Sequence, residues 1–128
     1  MILLIAFLAN TIGACSLLNG VWMNELGSVA TLKSAANGDV TGTYNSAVGK
    51  ASGDYVVRGR IDKGCPSSTL SFVVSWTNAN STAHSCSSWS GVLLDDTIYT
   101  TWLLVGAVNS TDDVWASTRV GTNVFRRQ

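Results

Sequence analysis

The chain has 128 residues, with eight basic and eight acidic side chains and no net charge, which allows one hydrophobic core and not two. Basic side chains do not cluster beyond Arg126-Arg127, so a nucleic-acid backbone is not an expected partner. Twelve glycines, one proline and a wealth of Thr, Ser, Val and Trp favour strands and tight turns over helices.

Residues 1–14 open with the apolar run Met1-Ile2-Leu3-Leu4-Ile5-Ala6-Phe7-Leu8-Ala9, too short to cross a bilayer, and end on the small pair Gly13-Ala14. This segment is expected to be a secretory signal peptide cut after Ala14, although no positive side chain precedes the apolar run. A buried N-terminal strand is the alternative. The remaining 15–128 form one domain, expected outside the cell and without a membrane partner.

From there the chain divides into about eight short runs, 20–26, 28–34, 39–46, 54–61, 69–77, 83–94, 97–106 and 113–125, separated by turn-forming residues. Even spacing, with no helical pattern of three or more turns, predicts an all-β fold, an eight-stranded antiparallel up-and-down β-barrel. Such a barrel can hold one small ligand. Trp76, Trp89, Trp102 and Trp115 recur every 13 residues, one strand plus one turn, which would place four indoles at one level. Alternation puts Trp22, Asn24, Leu26 and Ser28 on one face, then Tyr44 with Ser46, and Ser85 and Ser87 with Trp89. Polar side chains aimed inward imply water or a polar ligand in the cavity, because burying them unpartnered costs a few kcal/mol each, roughly.

Cys15, Cys65 and Cys86 are odd in number, so one disulfide and one free or intermolecular thiol is the simplest arrangement in an oxidising compartment. Their spacing suggests no metal site. Asn80-Ser81-Thr82 and Asn109-Ser110-Thr111 are glycosylation sequons in expected loops.

Four segments carry a more specific signal: Gly42-Thr43-Tyr44-Asn45-Ser46-Ala47-Val48-Gly49, Ala83-His84-Ser85 through Trp89-Ser90-Gly91, Thr101-Trp102-Leu103-Leu104, and Trp115 through Phe125. In this order and spacing the chain, from about Cys15 to Arg127, resembles the avidin/streptavidin family of biotin-binding proteins. The resemblance implies a secreted, non-enzymatic barrel that sequesters biotin, with antimicrobial depletion as one task for it, and with biotin as bound ligand and no cofactor. It implies that Asn24, Ser28 and Tyr44 donate to the ureido oxygen, and that Ser46 and Asn123 accept from the two ureido N–H groups. Trp76, Trp89 and Trp102 would wall the bicyclic ring and valeryl chain, with Ser87 facing the ring sulfur. Ser85 and the backbone N–H groups of Gly49 and Lys50 would hold the carboxylate, and the Lys50 ammonium could pair with it. Leu26 and Val48 complete the ligand-binding set. Trp115 matches a residue that enters a neighbouring subunit's site, which implies a homotetramer. One family member joins a first-strand cysteine to one on the sixth strand, where this chain has Leu93. Cys15 is instead expected to reach Cys65 at the closed end of the barrel, and Cys86 to point outward.

Plainer readings compete. Gly20-Val21-Trp22 resembles the first-strand signature shared with lipocalins, in which an Arg of the last strand stacks on the indole; Arg119 is suited to that contact. A lipocalin-like carrier of an apolar molecule is the alternative function, against which the inward polar groups speak. His84 with Asp95 or Asp96 and a serine would suggest a hydrolase, but alternation turns His84 opposite to Ser85 and Ser87. Asp95-Asp96 and Asp112-Asp113 are expected turn formers.

Overall fold

A computed structural model describes residues 15–77 and 84–128. The expected signal peptide, the sequon at Asn80 and the start of the sixth run at Ala83 lie outside the described residues. Eight strands close into an antiparallel barrel in which each pairs with its sequence neighbours. They are β1 (Gly20–Asn24), β2 (Val29–Ser34), β3 (Asp39–Asn45), β4 (Asp54–Asp62), β5 (Ser68–Thr77), β6 (His84–Leu94), β7 (Thr97–Gly106) and β8 (Thr118–Arg127). β1 returns to β8, pairing Trp22 with Arg127 and Asn24 with Phe125, so no sheet edge is left open.

Apolar residues facing inward at every second position fill the half of the barrel that holds Cys15 and Gln128. Trp22, Leu32, Val40, Val57, Phe72, Leu93, Ile98 and Phe125 are all essentially inaccessible there. This is the expected consequence of a two-residue repeat wrapped around one core. β6 and β7 are joined by Asp95-Asp96 alone, both with positive φ (51° and 54°), the backbone of a two-residue hairpin turn whose twist matches its strands.

Two strands, β1 and β8, depart from the sequence expectation by more than one residue. β1 ends at Asn24, because Glu25 to Gly27 form a tight turn in which Gly27 takes φ +85° and donates to the Asn24 carbonyl at 3.0 Å. The run expected as a strand over 113–125 begins instead with a 3-10 helix, Thr111–Ala116. Ser110 caps it by accepting from the Asp112 amide at 3.2 Å, and Asp112 and Asp113 occupy its first turn, where acidic groups meet unpaired N–H groups. Trp115 therefore leaves the barrel wall and stands 86% exposed, so four indoles do not share one level.

The closed end is tied down by a disulfide between Cys15 and Cys65, whose Cα atoms are 5.1 Å apart; Cys86 is exposed on the outer face of β6. The cation over Trp22 is Arg127, its guanidinium carbon 4.3 Å from the ring centroid, and not Arg119. β8 runs from the open end to the closed end, and at about 3.3 Å per residue Arg119 lies some 26 Å up the strand from Arg127. Arg127 also donates to the carbonyls of Leu17 and Asn19 and pairs with Asp96. It thus binds the N-terminal segment, the β6–β7 turn and the indole together.

Candidate functional site

The open half of the barrel encloses a cavity of about 480 Å³, within the range of small-molecule sites. Its floor is built by the β1–β2 turn. Asn24 Oδ1 accepts from the amides of Leu26 and Ser28, both at 3.0 Å, which fixes the carboxamide and leaves its amino group facing inward. Asn24 Nδ2 donates to Tyr44 Oη at 3.3 Å. Ser28 Oγ accepts from the Ala47 amide at 3.0 Å, which leaves its one proton to be donated on the cavity side, where Tyr44 stands. Asn24, Ser28 and Tyr44 are buried and come together from β1, the residue just before β2, and β3. Asn24 and Ser28 share a side because the turn folds the chain back, and not because a strand continues through Leu26, which is exposed at the rim. Burial pushes the Tyr44 phenol above its usual value; hydrogen bonds from Ser28 and Asn24 oppose this, and the Glu25 charge adds to it. Tyr44 is accordingly an O–H donor at neutral pH.

Aromatic rings form the walls. Trp89 and Trp102 are directly opposite on β6 and β7. Tyr44 stacks on Trp89 with centroids 5.0 Å apart and meets Trp76 edge-on at 5.6 Å. Phe72 also stacks on Trp89, at 5.0 Å, and Tyr55 lies 4.8 Å from Trp76. These two supporting rings were not singled out from the sequence, since nothing local distinguishes an inward Phe that braces a wall from one that fills a core. Indole N–H groups are aimed by hydrogen bonds: Trp76 Nε1 donates to Ser87 Oγ at 2.8 Å and Trp89 Nε1 to Asn123 Oδ1 at 3.0 Å. Trp102 rests on Gly121, its cross-strand partner; a Cβ there would stand 2.4 Å from Trp102 Cζ2.

At the rim, Ser46 bonds within its own loop, donating to the Val48 carbonyl at 2.8 Å and accepting from the Val48 amide at 3.3 Å. Val48, Gly49, Lys50 and Ser85 line the mouth. Of the residues expected to line a pocket, Trp115 alone is absent from this cavity; Ala51, Thr77, Leu104 and Arg119 line it without having been expected. Arg119 was expected over Trp22 instead, because its β8 register was unknown: the sequence supplies an Arg in the last strand and not the end of the barrel it occupies. His84 is exposed at the start of β6, and among the described residues no group of His, Cys, Asp and Glu side chains is arranged to hold a metal ion.

A closed up-and-down barrel, packed with apolar side chains at one end and opening at the other into an aromatic pocket with fixed polar groups, defines a small-ligand-binding β-barrel. The sequence model of the Avidin family matches residues 12–128. Among curated proteins of Gallus gallus, the chain is 33% identical to avidin-related protein 4/5 over 99% of its own length and 89% of that protein's. It is 34% identical to avidin over 88% and 78%, and 36% identical to avidin-related protein 1 over 89% and 79%. The chain belongs to the avidin family.

Proposed function

We propose that this protein binds biotin non-covalently and holds it unchanged. One observation carries the reading: the amino group of Asn24 and the hydroxyls of Ser28 and Tyr44 converge at the floor of an aromatic pocket. Three donors aimed at one point suit a carbonyl that can take on oxyanion character, as a ureido oxygen can. Asn123 and Ser46 then accept from the two ureido N–H groups. Trp76, Trp89 and Trp102 pack on the ring and chain, with Ser87 toward the sulfur. The Gly49 and Lys50 amides and Ser85 receive the carboxylate, and Lys50 and Arg119 set two cations at the rim. An apolar guest would leave the donors at the floor unpaired, which disfavours the lipocalin-like alternative. The rigid strands and the Asx turn fix the donors before the ligand arrives, so little entropy is lost on binding.

The same reading makes the protein a secreted binder and not an enzyme, exported by the segment 1–14 and used to sequester biotin, with microbial deprivation as its task. The Cys15–Cys65 disulfide suits an oxidising compartment, and Asn109 is exposed for glycosylation. It functions as a homotetramer in which Trp115 completes a neighbour's pocket. An indole 86% exposed on a protruding 3-10 helix, together with exposed Val56, Leu103 and Val120 on the barrel's outer face, supports burial against another subunit. Titration of the refolded chain with biotin, followed by tryptophan fluorescence, tests the binding: a saturable spectral change is expected. No spectral change and no heat at micromolar protein would refute it.

A further inference from the structure

Behind the pocket wall stands a charged side chain that touches no part of the cavity. Glu25, in the β1–β2 turn, accepts from Asn123 Nδ2 at 2.7 Å through Oε1 and from the Val124 backbone N–H at 2.9 Å through Oε2. Glu25 and Asn123 lie 98 residues apart and meet because β1 closes the barrel against β8.

The polarity of this chain of bonds is determined from its inner end. An indole N–H can only donate, so Trp89 requires an acceptor, and Asn123 Oδ1 meets it at 3.0 Å. With its oxygen committed to that side, buried Asn123 must present its amino group to the other. There it and the neighbouring Val124 N–H both require acceptors. Of side chains with this reach, only a carboxylate supplies two. Glutamine would oppose its own amino group to one of the two donors. Burial pushes the Glu25 carboxyl up, but the bonds from Asn123, Val124 and its own amide more than reverse this and hold it below the usual glutamate value, so it is ionised at neutral pH.

We propose that Glu25 is a positioning residue for ligand recognition, locking the Asn123 carboxamide with its oxygen toward the pocket and, by its negative charge, strengthening that oxygen as acceptor for a ligand N–H. The second lone pair of Asn123 Oδ1, the one not taken by Trp89, is the one a cyclic urea would use. The inference rests on the biotin-binding reading for its ligand and on ligand-free geometry for its mechanism. A neutral acceptor in the wall is charged from behind, so placing a carboxylate at 123 would bring two anions face to face.

Four proteins decide the matter: the unaltered chain, Glu25→Gln, Asn123→Asp and the double variant. Each is measured in two ways, by the side-chain 15N–1H signals of Trp89 Nε1 and Asn123 Nδ2 without ligand, and by the rate of biotin release. Glu25→Gln should move both signals in the free protein and speed release about tenfold or more. Asn123→Asp alone should also speed release about tenfold or more, through repulsion with Glu25. The double variant should recover to within about threefold of the unaltered chain, because the introduced glutamine can donate to the introduced aspartate while accepting from Val124. Losses that add in the double variant, or Glu25→Gln leaving the Trp89 and Asn123 signals in place, would overturn the proposal. If the unaltered chain holds no biotin, the functional reading fails, and the ligand-free signals still decide whether Glu25 orients Asn123. Glu25→Ala, at an exposed turn, carries the same spectroscopic test should Asn123→Asp fail to fold.

Discussion

Gly121→Ala is expected to damage the pocket while sparing the barrel. The added Cβ would stand 2.4 Å from Trp102 Cζ2, 2.6 Å from Cε2 and 3.0 Å from Nε1. Carbon atoms in contact keep about 3.5 Å or more, so the indole must retreat by about 1 Å, and the strand backbone on either side leaves it only the cavity or the solvent to enter. Trp102 is half-buried and forms a wall, not a core layer, so most of the cost falls on ligand contact. Overpacking of this kind costs about 1–3 kcal/mol, which as lost binding is roughly fivefold to 150-fold in affinity. The assay is a biotin titration by tryptophan emission, paired with thermal unfolding by circular dichroism. Affinity and emission equal to those of the unaltered chain would refute the claim that Trp102 is held in place by a missing side chain.

Other perturbations separate the two ends of the barrel and the groups of the site. Reducing the Cys15–Cys65 disulfide, which closes a segment with a sequence separation of 50, should lower stability by up to about 4 kcal/mol by loop entropy, measured by denaturant unfolding, with biotin affinity unchanged in the folded protein. Glu25 has a lowered folded value, so its stabilisation is complete above the ordinary glutamate value of about 4.3 and is lost as pH falls below that through the folded value; biotin release should accelerate over that acid range and not near neutrality. Tyr44 has a raised folded value, so its donor persists past the ordinary phenol value of about 10 and is lost only as pH climbs through the higher one, which ultraviolet titration of the phenol reads directly. His84→Ala should bind biotin as the unaltered chain does, by the same fluorescence titration, because His84 stands on the outer surface.

Strand periodicity made most of the barrel legible, since inward apolar residues at every second position can close in few ways. Where the reading failed, a local turn or a distant register decided the outcome. Ser110, Asp112 and Asp113 are a helix-start pattern that the alternation around Trp115 obscured, so the indole's departure from the barrel was readable but outweighed. Arg119 fell inside the expected last run and Arg127 just beyond it; only the extension of β8 and its pairing with β1 assign one to the rim and the other to Trp22. Glu25 had no visible role inside the expected run 20–26 because its partners lie at the far end of the chain. The Cys15–Cys65 pairing, by contrast, was within reach once alternate loops were assigned to one end of the barrel.

The central claim is that three donors polarise one carbonyl of the ligand, and the infrared band of biotin carrying a 13C-labelled ureido carbonyl reports that bond itself. On binding, the band should fall below its position in water, and Tyr44→Phe should return part of the shift while weakening binding by about 1–3 kcal/mol. A bound carbonyl that absorbs at or above its frequency in water, unaffected by Tyr44→Phe, would contradict the account.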